Sequence, residues 1–134
     1  MLGELVLEEK GRITGYRVIP SRGGGQRVEV SVQASGKILG IEHRTLVTYW
    51  SVVQPNGFLY GEAQGVVMTK DGDRATFVAQ GAGKFKSGGG VSYRGAVYYQ
   101  TVSPKLARLN GIAVVFEHES DANDNISTKS WEWK

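Results

Sequence analysis

The segment YGEAQGVVMTKDGDRATFVAQGAGKF, residues 60–85, decides the fold class of this sequence. In its second half Ala75, Phe77 and Ala79 alternate with polar side chains such as Arg74 and Gln80. Because successive side chains of a β-strand point to opposite faces, this period of two predicts a strand with one apolar face and one wet face. The pair Asp71-Gly72 favours a tight turn, so the segment predicts an antiparallel hairpin.

The same rhythm continues through the whole chain, for example between Arg27 and Ala34. Glycine, proline, asparagine and aspartate interrupt it at short intervals, and such clusters mark turns between strands. The interruptions are Ser21 to Gln26, Gly36 to Gly40, Pro55 to Gly57, Asp71 to Asp73, Ser87 to Gly90, Ser103 to Gly111 and Asp121 to Asn125. They separate eight predicted strands. Only Pro104 to Leu109 is predicted as a helical turn, because its proline suits a first helical position.

Eight strands of about ten residues each would occupy about 60% of the chain, far above the base rate for globular domains. An up-and-down barrel reaches that content, because every strand is paired on both sides and no edge stays open. Glycines within the predicted strands, among them Gly61, Gly81 and Gly95, favour the curvature of a closed sheet. We therefore predict an all-β, eight-stranded antiparallel up-and-down barrel, with a two-sheet sandwich as the alternative.

Length and composition restrict the protein further. The 134 residues predict one domain spanning 1–134, and the absence of cysteine excludes a disulfide framework and thiolate metal sites. The 16 basic and 13 acidic residues give a net charge of +3 without a basic run, which argues against a nucleic-acid partner. Neither a secretion signal nor an apolar run long enough to cross a membrane is present, so we expect a cytoplasmic protein without a membrane partner.

The turn at Asp71-Gly72 determines which side chains face the barrel interior. A two-residue turn there places Met68 opposite Ala75, and the same register turns Glu62 and Gln64 inward. A three-residue loop would reverse the parity and send both polar side chains to solvent. We predict the two-residue turn.

The preceding turn at Asn56-Gly57 sets the next strand in the same way. As a two-residue turn it places Tyr49 opposite Gln64, which adds Tyr49 to the inner face. A three-residue loop starting at Pro55 would instead bring Trp50 opposite Glu62, and the sequence leaves this alternative open.

Matching the apolar sides of the remaining strands completes the predicted interior. It contains aromatic rings, small residues and a few polar groups, a composition that fits one small ligand as well as a core filled by its own side chains. We predict that an apolar or amphipathic ligand contacts Tyr49, Gln64, Phe77, Tyr93, Tyr99, Phe116 and His118.

Glu62 is the predicted catalytic residue. A carboxylate in an apolar barrel requires a partner or a raised pKa, and such a group is suited to proton transfer as a general base. A solvated or purely structural Glu62 is the alternative. His43 and His118 lack the short spacing that is typical of metal ligands, so we expect neither a metal nor another cofactor.

The outer surface suggests self-association. Leu46, Trp50 and Val52 share the face that the preferred turn places outside the barrel. An apolar outer band favours a homo-oligomer.

The chain also resembles a known group, the allene oxide cyclase-like barrels, and more narrowly an uncharacterised bacterial family of small proteins with that fold. The resemblance lies in Gly61-Glu62, Gly65, the Asp71-Gly72 turn and the run from Phe77 to Phe85, with further similarity in Leu106 to Gly111 and the aromatic final strand. It implies an eight-stranded barrel, often oligomeric, whose apolar lumen binds or cyclises a lipid-like substrate in the plant enzymes. The catalytic residues of those enzymes do not match positions in this chain.

Three functions follow as hypotheses. The first is a barrel that binds a small apolar or amphipathic ligand in its lumen, oriented by Glu62 and His118. The second is a cofactor-free isomerase or cyclase with Glu62 as the acid or base. The third is a barrel with a filled core that acts through its outer surface as a structural or interaction protein.

Overall fold

The computed structural model describes residues 1–21 and 25–134 and shows a closed antiparallel barrel. Its strands are β1 (Leu2–Ile19), β2 (Arg27–Ile38), β3 (Ile41–Val53), β4 (Leu59–Thr69), β5 (Arg74–Phe85), β6 (Val91–Gln100), β7 (Val114–Ser120) and β8 (Asn125–Trp133). Each strand pairs with the next in the chain, and β8 returns to pair with β1. The predicted up-and-down barrel is therefore confirmed, and the two-sheet sandwich is wrong.

Strands and turns follow the predicted rhythm, except that β2 extends through Gly36 to Ile38, so the turn predicted at Gly36 to Gly40 contains only Leu39 and Gly40. The predicted helical turn is a 3₁₀ helix over Pro104–Leu109, with the proline in its first turn. The first predicted turn, Ser21 to Gln26, includes residues 22–24, which lie outside the described part of the chain. Within that described part, no helix is long and apolar enough to cross a membrane.

The 3₁₀ helix closes one end of the barrel. Its Leu106 and Leu109 are both fully buried and pack with Ile38, Val67 and Val114, which lie near the ends of the strands at this side. Since burying a leucine contributes about 1.5–3 kcal/mol, this contact fixes the helix on the barrel. The lumen is thus covered from one side by a short apolar plug.

The loop between β4 and β5 differs from the predicted two-residue turn. The amide of Thr69 donates to the carbonyl of Asp73 (2.9 Å) and that of Gly72 donates to the carbonyl of Thr69 (3.0 Å), which leaves three loop residues. Gly72 has a φ of 93°, the left-handed conformation that such a loop requires. Met68 consequently pairs with Arg74, and the register reverses the predicted parity.

The loop between β3 and β4 also contains three residues, as in the alternative that started at Pro55. The amide of Gln54 donates to the carbonyl of Phe58 (2.8 Å), and Trp50 pairs with Glu62. Each longer loop reverses parity once. The two reversals cancel at β3, so Tyr49 faces inward as predicted although the register that led to this prediction was wrong.

Candidate functional site

The inward-facing side chains surround a cavity of about 100 Å³ in the barrel lumen. Its walls are mostly aromatic and aliphatic, and its polar side chains come from β1, β3, β6, β7 and β8. The principal wall residues are Leu7, Glu9, Val32, Thr45, Val47, Tyr49, Ala63, Phe77, Ala79, Tyr93, Val97, Tyr99, Phe116, His118, Ile126, Thr128 and Ser130. An apolar cavity of about 150 Å³ holds benzene, so this smaller volume limits an enclosed ligand to no more than about one six-membered ring.

Aromatic rings form much of the wall. Tyr49 meets Tyr93 edge to face with ring centroids 6.2 Å apart, and it meets His118 in the same manner at 5.9 Å. Phe77 and Tyr99 lie 5.6 Å apart in a tilted arrangement. These separations are typical of favourable aromatic pairs, so the rings hold one another in place.

Inward glycines make room for these rings. A Cβ atom on Gly83 would lie 2.8 Å from the ring of Tyr93, and one on Gly81 would lie 3.1 Å from Phe116. The glycines therefore serve close packing as well as curvature. The lumen lies between the two predicted extremes, since rings fill part of it and a ring-sized space remains.

His118 is the predicted site residue whose environment is most unusual. Its Nδ1 lies 2.8 Å from the hydroxyl of Thr128, whereas its Nε2 is buried without a hydrogen-bond partner among the described residues. Burial lowers the pKa of His118 from 6.5 to about 4, although Glu9 and Glu119 act in the opposite direction. At neutral pH the imidazole is therefore uncharged, and one of its nitrogens has no partner among the described residues although the residue lines the cavity.

Glu9 is a lumen carboxylate that the sequence reasoning missed. It is 7% exposed, and its Oε1 lies 2.8 Å from Nε2 of His43 and accepts a hydrogen bond of 2.6 Å from Thr45. Gly36 separates Glu9 from His43 in the strand register, so no side chain stands between them. These contacts satisfy the requirement that a buried carboxyl be hydrogen-bonded.

A sequence signal for Glu9 exists in the alternation of β1. Leu7, Glu9 and Gly11 share one parity, while Glu8 and Lys10 occupy the other. Because Glu8 and Lys10 are charged and suit the solvent-facing side of the strand, the alternate residues Leu7, Glu9 and Gly11 are assigned to the interior. The same pattern places His43 and Thr45 on the inner face of β3, in alternation with Ile41 and Val47.

The lumen tyrosines are neutral hydrogen-bonding groups. Burial raises the pKa of Tyr49, and burial together with the charge of Glu9 raises the pKa of Tyr99. Burial also raises the pKa of Tyr93, and its hydrogen bond to Ser51 opposes that shift. None of the three hydroxyls supplies an anion near neutral pH.

The structure places two predicted site residues outside the lumen. Glu62 borders the cavity beside Gly61, which has no side chain. The Glu62 side chain lies on the outer face of the barrel, where it accepts a hydrogen bond of 2.8 Å from Tyr60. Gln64 is exposed on the same face. The three-residue loop between β4 and β5 reversed their parity, so the prediction that both point inward is wrong.

The other predicted contact residues, Tyr49, Phe77, Tyr93, Tyr99, Phe116 and His118, all line the cavity. Glu9 and His43 stand together, but across residues 1–21 and 25–134 no three histidine, aspartate or glutamate side chains are placed to hold a metal ion.

A second surface feature is an uncharged outer face across β2 to β6. It is formed by Ser31, Gln33, Leu46, Thr48, Gln64, Val66, Thr76, Val78, Tyr98 and Gln100. Val78 and Tyr98 are 58% and 51% exposed. Trp50 lies beside this face, where the guanidinium of Arg27 stacks 4.3 Å from its ring.

Comparison with solved structures finds proteins of the same fold. A conserved protein of unknown function from Rhodopseudomonas palustris is 16% identical, with a TM-score of 0.82, and the match covers 98% of this chain and 97% of that one. A protein of unknown function from Clostridium acetobutylicum is 15% identical with a TM-score of 0.83 over 96% of both chains.

An enzyme from Penicillium herquei is more distant, at 13% identity and a TM-score of 0.64 over 98% of this chain and 96% of that one. No family model and no curated protein matches this sequence. At these identities the likenesses establish the fold alone. Function must therefore be inferred from the chemistry of the lumen.

Proposed function

We propose that this protein binds a compact amphipathic molecule in its lumen, of about the size of one six-membered ring carrying one polar group. The observation that carries the proposal is that His118, whose buried Nε2 has no hydrogen-bond partner among the described residues, lines a mostly apolar cavity. An unsatisfied buried polar atom costs about 1–3 kcal/mol, so a ligand that pairs with it gains both affinity and orientation.

The cavity volume determines the size class. Pockets for drug-sized ligands enclose about 300–1,000 Å³, whereas this lumen encloses about 100 Å³. The resemblance to allene oxide cyclase-like barrels supports the lumen as the binding place. A lipid-like substrate exceeds the space here, so the proposed ligand is smaller than theirs.

The proposed contacts divide into apolar and polar ones. The aromatic rings of Tyr49, Phe77 and Phe116 provide the apolar contacts, and His118 provides the hydrogen bond that orients the ligand. Glu9 takes the second polar position that the sequence reasoning assigned to Glu62.

Calorimetric titration with phenol tests the proposal, with benzene as the ligand that lacks the hydroxyl. We expect phenol to bind more tightly than benzene, because only phenol pairs with His118. Ala79→Leu replaces an inward methyl by an isobutyl group and should abolish binding of both. Ala82→Leu makes the same exchange at an exposed position of the same strand and should leave binding unchanged.

Absence of phenol binding to the wild-type protein would contradict the proposal. Equal loss of binding in the Ala79 and Ala82 variants would also contradict it, since the site would then lie outside the lumen.

We also propose that the uncharged outer face packs against a second copy of the chain. In a protein with 29 charged side chains, ten neighbouring outward positions on five strands carry none. A surface of this kind is typical of the core of a protein interface, where charged residues are depleted.

Light scattering during gel filtration tests this assembly. Val78→Lys should convert an oligomer to a monomer, because it buries a charge in the interface. Val18→Lys is the matched control, since Val18 is 75% exposed outside this face. A monomeric wild-type protein would contradict the proposed assembly.

A further inference from the structure

Four inward polar side chains lie in one row that crosses five neighbouring strands. The register joins His43, Gly36, Glu9, Thr128 and His118, one residue each from β3, β2, β1, β8 and β7. Glu9 and His118 therefore stand two strands apart, which corresponds to about 10 Å between their Cα atoms. Both side chains border the same cavity.

Glu9 is held as a hydrogen-bond acceptor with one oxygen in reserve. His43 and Thr45 both contact Oε1, and no donor among the described residues occupies Oε2. The His43 side chain is fully buried, so it keeps the carboxyl in one orientation. A positioned carboxylate with a free oxygen in an apolar site is suited to accept a proton from carbon.

His118 supplies the complementary group. When the Thr128 hydroxyl donates to Nδ1, the imidazole proton lies on Nε2, the buried ring nitrogen that has no partner among the described residues. A neutral donor of this kind stabilises the oxygen of an enolate without first neutralising the carboxylate opposite it.

We propose that the lumen isomerises small β,γ-unsaturated carbonyl compounds, with Glu9 as the base and His118 as the hydrogen-bond donor to the carbonyl oxygen. This activity rests on the proposed binding of a ring-sized ligand, and it extends that binding to a reaction and a substrate class.

The reaction balances without a co-reactant. Glu9 removes a proton from the carbon between the carbonyl and the double bond, and the electron pair forms a dienolate whose oxygen accepts the hydrogen bond from His118. The protonated Glu9 then returns the proton to the γ-carbon. The double bond ends in conjugation with the carbonyl, and both side chains return to their starting states.

The apolar wall restricts the substrate to a compact and largely unsaturated molecule. Phe77, Tyr99 and Phe116 offer ring faces, and exclusion of water strengthens the interactions of the dienolate with its donor. Cyclohex-3-enone meets the size limit and carries both functional groups.

The test follows the conversion of cyclohex-3-enone to cyclohex-2-enone by the ultraviolet absorbance of the conjugated product, with binding of the product measured separately by calorimetry. The wild-type protein should accelerate the conversion well above buffer containing the same concentration of acetate. Glu9→Gln should lower the rate by about 10²–10⁴-fold, and His118→Asn by about 10²–10³-fold.

Glu8→Gln is the matched control, because Glu8 is the exposed neighbour on the same strand, and it should keep the full rate. Unfolding curves and phenol binding verify that Glu9→Gln is folded. If that variant does not fold, Glu9→Asp is the alternative. Its shorter side chain keeps the carboxylate but holds it farther from the substrate, so this variant should also lose most of the isomerisation rate.

If cyclohex-2-enone binds but cyclohex-3-enone is not converted, the proposed isomerase activity is overturned and the proposed binding function stands. Failure of both phenol and enone to bind would overturn both proposals. An equal rate in the Glu8 and Glu9 variants would also overturn the assignment of Glu9 as the base.

Discussion

Acid should destabilise the barrel through His118. Its pKa is lowered from 6.5 to about 4 in the folded state, so between these values the unfolded chain binds a proton that the folded chain excludes. Stability from this group is therefore complete above pH 6.5 and falls as the pH drops toward 4. At about 1.4 kcal/mol per pKa unit, the loss between pH 7 and pH 4 is about 3 kcal/mol.

Urea unfolding at a series of pH values measures this loss. Carboxyl groups titrate in the same pH range. The effect of His118 is therefore the difference in free energy of unfolding between the wild-type protein and the His118→Asn variant, whose side chain at position 118 does not titrate. We expect the free energy of unfolding of the variant to fall by about 3 kcal/mol less over this range. A nuclear magnetic resonance titration of the His118 ring should find its midpoint near 4.

Parallel pH curves for the two proteins, or a His118 midpoint near 6.5, would contradict this prediction. Either result would mean that water solvates the His118 ring in the folded protein and that its surroundings are not apolar.

Further substitutions test other parts of the account. Glu62→Gln should leave phenol binding unchanged in calorimetry, because the Glu62 side chain lies outside the lumen. Gly65→Ala should lower the free energy of unfolding in urea by about 1–3 kcal/mol, since the new Cβ would clash with the Phe77 ring. Gly15→Ala is the control, because no atom among the described residues lies within 4 Å of its new Cβ. It should change the free energy of unfolding by less than about 0.5 kcal/mol. Leu106→Ala should cost about 2–5 kcal/mol, because it empties the plug at the end of the barrel.

Much of the barrel could be predicted from the sequence because its strands alternate strongly. The inward residues of β7, including Phe116 and His118, were recognisable from that pattern alone. The helical turn was also predictable, since Pro104 and the spacing of Leu106 and Leu109 are local signals. Closure into a barrel followed from the number of strands and from the need to pair every edge.

The parity of β4 could not be derived in this way. Asp71-Gly72 fits a two-residue turn, but a three-residue loop also places a glycine in the left-handed conformation. Side-chain contacts accompany the observed loop. Within it, the Asp73 amide donates to the Thr69 hydroxyl, and from outside it Ser103 donates to the Asp73 carboxylate (2.6 Å). A difference of one loop residue moved Glu62 and Gln64 to the opposite face.

The buried pair of Glu9 and His43 illustrates a different limit. Alternation in β1 and β3 was sufficient to place each side chain inside the barrel. Their contact depends on the register of three strands and on the missing side chain of Gly36 between them. Sequence patterns assign a face to each residue, but they do not show which inward polar groups share a level of the barrel.

Methyl-resolved nuclear magnetic resonance during a phenol titration would locate the bound ligand. A ligand in the lumen should shift the methyl signals of Ala79, Val97 and Ile126 and leave those of the outward-facing Val78 and Ala82 unchanged. Shifts confined to the outer methyls, or an unchanged spectrum, would contradict a ligand site in the lumen.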